Sequence, residues 1–247
     1  MVETKDITRP PADISRALAA IGTASATGAL NDLGVRNSFI QGPVPWNTNG
    51  VCVAGPALTL QFMPKREDLY GAGEYDDPEK QLHRHVLYHT QPGDFVVVDS
   101  RGEMSAGIFG EMMITYFKGR GGVGMVIDGC VRDYAHVKTV GTPLWMRGLT
   151  PNFHTQTNLM PFAVNGPIAC GGVTVMPGDI IVADDDGACC VPAALATKVI
   201  ANGSKHHAWE DFSRLKLSQG GDLRKYYPLR SDGRKEYEEW LAKRDQA

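Results

Sequence analysis

The 247-residue sequence has no apolar run long enough to span a bilayer. Its first twenty residues, MVETKDITRPPADISRALAA, mix charged and small residues where a secretory leader would carry an apolar core. Neither a transmembrane helix nor a signal peptide is expected, and the cytosol is the simplest compartment. An excess of charge of one sign is also missing. The 25 Lys and Arg against 28 Asp and Glu leave a net charge of −3 spread along the chain, which gives no electrostatic footing for nucleic acid or a membrane surface. Cysteine is sparse: the five, at 52, 130, 170, 189 and 190, form no C-x-x-C pair and have no histidine at zinc-ligand spacing. They read as buried free thiols. No G-x-S-x-G or Ser-His-Asp pattern supports an acyl-transfer hydrolase, and no internal repeat or low-complexity tract is present.

The length suits one core with an extension. Small and apolar residues after Pro10 and Pro11 predict one or two short helices ending near Gly34. GVCVAGPALTLQFM, residues 50–63, is β-branched and apolar with Gly and Pro at its break points, as in strands that bend around a sheet. A helix should follow and end before Pro92. DFVVVDS is then a strand buried on both faces. Next come a helix over GIFGEMMITYFKGR, a strand VGMVIDG and a loop CVRDY. Later strands lie in PLWMRG and GGVTVMPGDIIVADDDGACCVP, and a helix begins at the Ala193–Ala194 pair. The charged, aromatic tail ends in a helix from about Arg234.

GRGGVG, residues 119–124, is a literal G-x-G-x-x-G. A dinucleotide turn needs its glycines after a strand and before a helix. Here they follow a helix and precede a strand, so they read as a helix C-cap and turn. The residues on either side carry more chemistry. Asp128, Arg132 and Asp133 lie at or just beyond the carboxyl end of a predicted buried strand, where open α/β sheets present ligand groups. Upstream, SAGIFGEMM leads a Gly-rich turn into a helix start whose free N–H groups suit a carboxylate. An arginine fork and one carboxylate favour a small carboxylate ligand and a magnesium-type ion, which keeps several waters. A loop ion pair or a helix cap accounts for Arg132 and Asp133 equally well on residue types alone.

GEMM, twenty-one positions from Glu111 to Arg132, and DGCVRD together resemble the signature of the RraA-like family. That family includes the 4-hydroxy-4-methyl-2-oxoglutarate/4-carboxy-4-hydroxy-2-oxoadipate aldolases, class II pyruvate aldolases with oxaloacetate decarboxylase activity. GGVTVMPGDIIVADDDGACCVP is similar to a second family stretch, and the likeness covers roughly residues 20 to 200. The resemblance implies a compact α/β/β/α sandwich of the swivelling phosphohistidine-domain type over residues 1–204. It also implies homotrimers or homohexamers with sites at subunit interfaces. Residues 205–247 would form a helical extension packed on a neighbouring subunit. The backbone of Gly110, Glu111, Met112 and Met113 would bind the pyruvyl end of a 2-oxo acid, Arg132 would bind substrate, and Asp133 would hold Mg²⁺ or Mn²⁺. Glu111 stands where the family's motif has Asp, and TGAL stands where many members have S-D-A-L.

The implied reaction is retro-aldol cleavage of a 4-hydroxy-2-oxo acid to pyruvate, or decarboxylation of oxaloacetate, through pyruvate enolate. A water on the metal or a carboxylate such as Glu111 would serve as base. A second substrate carboxylate would need a cation, for which Lys65, Arg66 and Arg147 are candidates. FMPKREDL and the tail also resemble a longer subgroup labelled as regulators of ribonuclease activity. The alternative is therefore a non-catalytic protein that binds and regulates a partner enzyme. His85 and His89, one helical turn apart, could clasp a transition metal but more simply pack on a helix surface. ADDDG reads as a turn between strands, and Cys189 and Cys190 as side chains on opposite faces of one strand.

Overall fold

A computed structural model describes residues 4–70, 77–154 and 157–244. The chain runs through α1 (Ala12–Asp32), β1 (Val44–Trp46), β2 (Val53–Pro64), α2 (Leu82–Tyr88), β3 (Phe95–Asp99), α3 (Glu111–Gly119), β4 (Gly124–Val131), α4 (Tyr134–Val140) and β5 (Leu144–Leu149). It continues through β6 (Leu159–Val164), β7 (Ile168–Cys170), β8 (Val173–Val175), β9 (Ile180–Asp184), β10 (Gly187–Val191), α5 (Ala196–Ser218), α6 (Leu223–Tyr226) and α7 (Ser231–Arg244). Strands β2 to β5 pair in parallel, β1 closes one edge against β5, and β9 and β10 continue the sheet antiparallel from β2. β6 pairs with the far end of β2, and β7 and β8 form a separate hairpin.

Strand alternation sorts the side chains into three interlayer cores. Val96 and Val98 of β3 face outward with Met125, Ile127 and Leu144, under Val86 of α2, Phe117 of α3 and Val137 of α4. Phe95 and Val97 face inward with Trp145, Ile181, Cys190 and the β7–β8 hairpin. Beyond β9 and β10, Val182, Cys189 and Val191 meet Leu18 and Leu30 of α1 and Val199 of α5. The order is helix layer, sheet, sheet, helix layer, the α/β/β/α sandwich that the resemblance implied. Cys189 and Cys190 do occupy opposite faces.

The N-terminal helical segment is one element with a kink. Gly22 has φ 77°, and the helix resumes at Thr23, whose N–H and Oγ1 donate to Asp184 at 2.9 and 2.6 Å. GRGGVG is a turn, as its order predicted: the Gly121 N–H returns to Lys118 O and the Gly122 N–H to Phe117 O. Aspartates 184–186 lie at the β9–β10 corner, with the Asp186 N–H donating to Asp184 Oδ1. The division drawn between 204 and 205 falls inside α5. Its first turns pack on α1, and Phe212 further along anchors an aromatic cluster with Tyr226 of α6 and Tyr237 and Trp240 of α7. Among the described residues no helix is long and apolar enough to cross a membrane.

Candidate active site

Two loops meet because the segment before α3 runs beside the end of β4. The Ile108 N–H donates to Cys130 O and the Arg132 N–H to Phe109 O, at 2.9 and 3.1 Å. That closeness requires glycine at two points. A Cβ on Gly107 would lie 2.6 Å from Asn152 O, and one on Gly110 would lie 2.6 Å from Asp133 Oδ2 and 3.0 Å from Arg132 Nε. Gly110 is the N-cap of α3 and supplies no side-chain cap, so the first-turn amides of α3 remain open to a ligand.

The geometry at Asp133 bears on the cap and the ion pair that the residue types suggested. It sits at the N-cap of α4 in the left-handed region, φ 59° and ψ 30°, yet its carboxylate makes no capping bond. Such a backbone costs a non-glycine residue about 1–2 kcal/mol. The pairing with Arg132, Nε to Oδ2, is loose at 3.4 Å, with the side chains 39% and 45% exposed. No capping bond takes up the carboxylate, and Arg132 is its ion-pair partner. The Arg132 guanidinium lies over the Phe153 ring at 5.8 Å.

Gly110, Glu111, Met112, Met113, Arg132 and Asp133 line one cavity of about 230 Å³. The sequence-chosen residues are thus brought together, with the exception of Asp128. The remaining wall was not foreseen: His83 and Arg84 come from α2, and Phe153 and His154 from the loop after β5. His83 and His154 are buried edge to face with ring centroids 4.2 Å apart. Burial, helped by the neighbouring His154 and Arg84, holds the His83 pKa well below the ordinary imidazole range, so this ring is neutral.

Asp128 is buried against Arg147, Nε to Oδ1 at 2.5 Å, and neither side chain lines the cavity. One residue along a strand reverses the side-chain direction, and Asp128 points to the face opposite its expected role. Arg66 pairs with Asp68 at 2.6 Å, and Lys65 Nζ lies over the Tyr70 ring at 4.9 Å; both are away from this wall. His85 and His89 do not converge either. His85 is buried with Nε2 on Glu79 O, whereas His89 meets Thr4 and Asp6.

Among the described residues no group of three or more His, Cys, Asp or Glu could hold a metal ion. A zinc-type cage is therefore not built within this part of the chain. The Asp133 carboxylate, half exposed and lining the cavity, fits a magnesium-type ion that keeps most of its waters.

The sequence profile of the RraA-like family, Aldolase/RraA, matches residues 13–190. A Halalkalibacterium halodurans protein provisionally named 4-hydroxy-4-methyl-2-oxoglutarate aldolase is 34% identical over 198 residues, 80% of this chain and 85% of its own. Among solved structures, Streptomyces coelicolor RraAS2, described as an unusual member of the RNase ES inhibitor RraA family, is 41% identical. It superposes with a TM-score of 0.75 over 84% of this chain and 98% of its own. An uncharacterised Pseudomonas syringae protein, 24% identical, shares the fold with a TM-score of 0.74 over 89% of this chain and 99% of its own. With the profile running from α1 into β10 and the glycine-led loop set against Arg132 and Asp133, the chain belongs to the RraA-like family.

Proposed function

We propose that the cavity is the active site of a divalent-metal-dependent lyase that cleaves a 4-hydroxy-2-oxo acid to pyruvate, with oxaloacetate decarboxylation as a side reaction. The observation that carries this reading is the Asp133 carboxylate, left free of capping and only 3.4 Å from Arg132 beside the uncapped start of α3. The aldolase name of the Halalkalibacterium relative supports the same reaction class.

In this reading Arg132 takes the substrate carboxylate, its planar fork matching two oxygens, while the amides of residues 111–113 stabilise the charge that gathers on the 2-oxo oxygen. Asp133 would hold Mg²⁺ or Mn²⁺ mainly through water. When bound, the ion supplies Lewis acidity to that oxygen. Removal of the 4-hydroxyl proton turns the O–H pair into a carbonyl, the C3–C4 bond breaks, and its electrons pass into the enolate. A proton then returns to C3, giving pyruvate. Glu111, which lines the cavity and accepts weakly from Thr115 at 3.3 Å, is placed to take and return that proton.

A second reading is a binding protein that restrains a ribonuclease, favoured by the 41% identity to RraAS2. Purified protein should be assayed with Mg²⁺ for pyruvate release from oxaloacetate and from 4-hydroxy-2-oxo acids. Turnover supports the lyase. No pyruvate from the whole panel, with inhibition of a ribonuclease E-type enzyme, would transfer the site to the second reading.

A further inference from the structure

The end of the sheet away from the active cavity holds a second and larger cavity, of about 430 Å³. It lies where Gly93 and Val123 lead into β3 and β4, whereas Arg132 and Asp133 follow β4, and the two cavities share no lining residue. Helix α1 forms one wall. Ala12, Ser15 and Ala19 stand at i, i+3 and i+7 on one face of that helix, and their small side chains leave the gap to β2 unfilled. Val53, Ala54 and Pro56 of β2, with Pro92 and Val123, make the opposite wall apolar. A cavity of this volume, mostly apolar with a few polar groups, has the form of a small-molecule site.

Two polar groups of α1 interrupt the apolar lining. Ser15 is only 9% exposed, yet its hydroxyl makes no hydrogen bond among the described residues. An enclosed hydroxyl without a partner carries a free-energy cost that a ligand oxygen would relieve. Arg16, next in the chain, is exposed at the edge of the same cavity and has no ion-pair partner among the described residues. The other charges of the wall cancel. Arg9 gives Nε and Nη2 to the fully buried Asp94 at 2.9 and 2.8 Å and Nη1 to Asp6 at 2.9 Å. Burial, with the nearby Asp184, pushes the Cys52 thiol up to about 12, so that side chain is neutral too. What remains is one unneutralised cation beside a free hydroxyl, at the edge of an apolar space. We infer that this cavity binds a medium-chain monocarboxylate, its hydrocarbon body against β2 and its carboxylate on Arg16 and Ser15. The inference goes beyond the lyase reading and does not depend on it.

Titration calorimetry with octanoate and 1-octanol separates the charge from the hydrocarbon body. The wild type should bind octanoate about tenfold or more tightly than octanol, the worth of one charge-assisted hydrogen-bonded pair. Arg16→Gln should remove most of that preference, and Ser15→Ala should reduce it. Ala19→Phe should fill the gap and weaken both ligands by about tenfold or more. Because a carboxylate could instead enter the active cavity, Arg132→Gln serves as the control and should bind octanoate as the wild type does. Circular dichroism checks the fold of each variant, and the exposed Arg16 keeps the test open should Ala19→Phe fail to fold. Undetectable octanoate binding by the wild type, or equal affinity for the alcohol, overturns the inference. So does a preference that survives in folded Arg16→Gln, or octanoate binding that is lost in Arg132→Gln, which would put the acid in the active cavity. Pyruvate release in the assay above bears on the lyase alone, so either proposal can fail while the other stands.

Discussion

Gly110 and Asp133 are packed so closely that a Cβ on the first would lie 2.6 Å from Oδ2 of the second. The backbone at Gly110, φ −111° and ψ −178°, is open to any residue, so the requirement is one of space. Gly110→Ala should therefore fold with near-native stability but push the Asp133 carboxylate aside. Pyruvate release should fall on the order of 10²-fold, because a displacement of about 1 Å at a reacting centre has that cost. Steady-state kinetics beside a thermal melt checks this, and full activity in Gly110→Ala would remove the close approach from the account of the site.

Asp133→Asn is the informative replacement at that position, since asparagine tolerates the left-handed backbone at φ 59° and alanine does not. It should change stability by less than about 1 kcal/mol. Turnover should be lost with it, and with Arg132→Lys, which keeps charge but not the fork. Glu111→Gln should lower kcat with little change in KM, the pattern of a group used in proton transfer.

Chelation should abolish turnover, and Mg²⁺ or Mn²⁺ should restore it. With one carboxylate proposed to hold the ion, the affinity should be modest and Asp133→Asn should remove it. Thermal shift in a Mg²⁺ titration reads this without a substrate, since a ligand bound only by the folded chain raises the melting temperature. A metal-dependent shift that survives in Asp133→Asn would place the ion elsewhere.

His83 gives a pH prediction. Its imidazole stays neutral in the fold but is free to protonate once unfolded, so below about pH 6.5 the unfolded chain takes up a proton that the folded chain does not. The His83 contribution should therefore make stability fall as the pH drops below 6.5, by at most about 1.4 kcal/mol per pH unit. His83→Gln should flatten the fall in urea midpoint between pH 7 and 5. Parallel curves for the two proteins would contradict the neutral assignment.

Trp145 tests the inner core. It is fully buried, donates Nε1–H to Asp184 O at 2.8 Å and lies against Phe95 with ring centroids 5.8 Å apart. Trp145→Ala should cost about 3–5 kcal/mol, read as a lower urea midpoint at unchanged slope.

Much of this arrangement is readable in the chain. The unbroken FVVVD run announced a strand buried on both faces, and its alternating residues do enter two different cores. The order of helix, glycines and strand disposed of the dinucleotide turn, and the pairing of GIFGE with Arg132 and Asp133 marked the loops that meet. Arg147 and Asp128 show where such reading stops. Nothing in a single sequence reveals that the two neutralise each other at 2.5 Å on the opposite face.

Sequence alone determined what is local: strands from unbroken apolar and β-branched runs, the C-cap from its glycines, and an arginine–aspartate pair at a strand end. Only the tertiary structure decided which groups share a space. His83 and Arg84 reach the cavity because α2 packs against the outer sheet and turns that flank toward Phe153 and His154, some seventy residues away. It likewise decided that the Asp133 carboxylate is left over from capping, since that follows from a left-handed φ and not from the residue type. Side-chain pairing across such distances is set by packing of the layers, and packing has no signature in the order of neighbours along the chain.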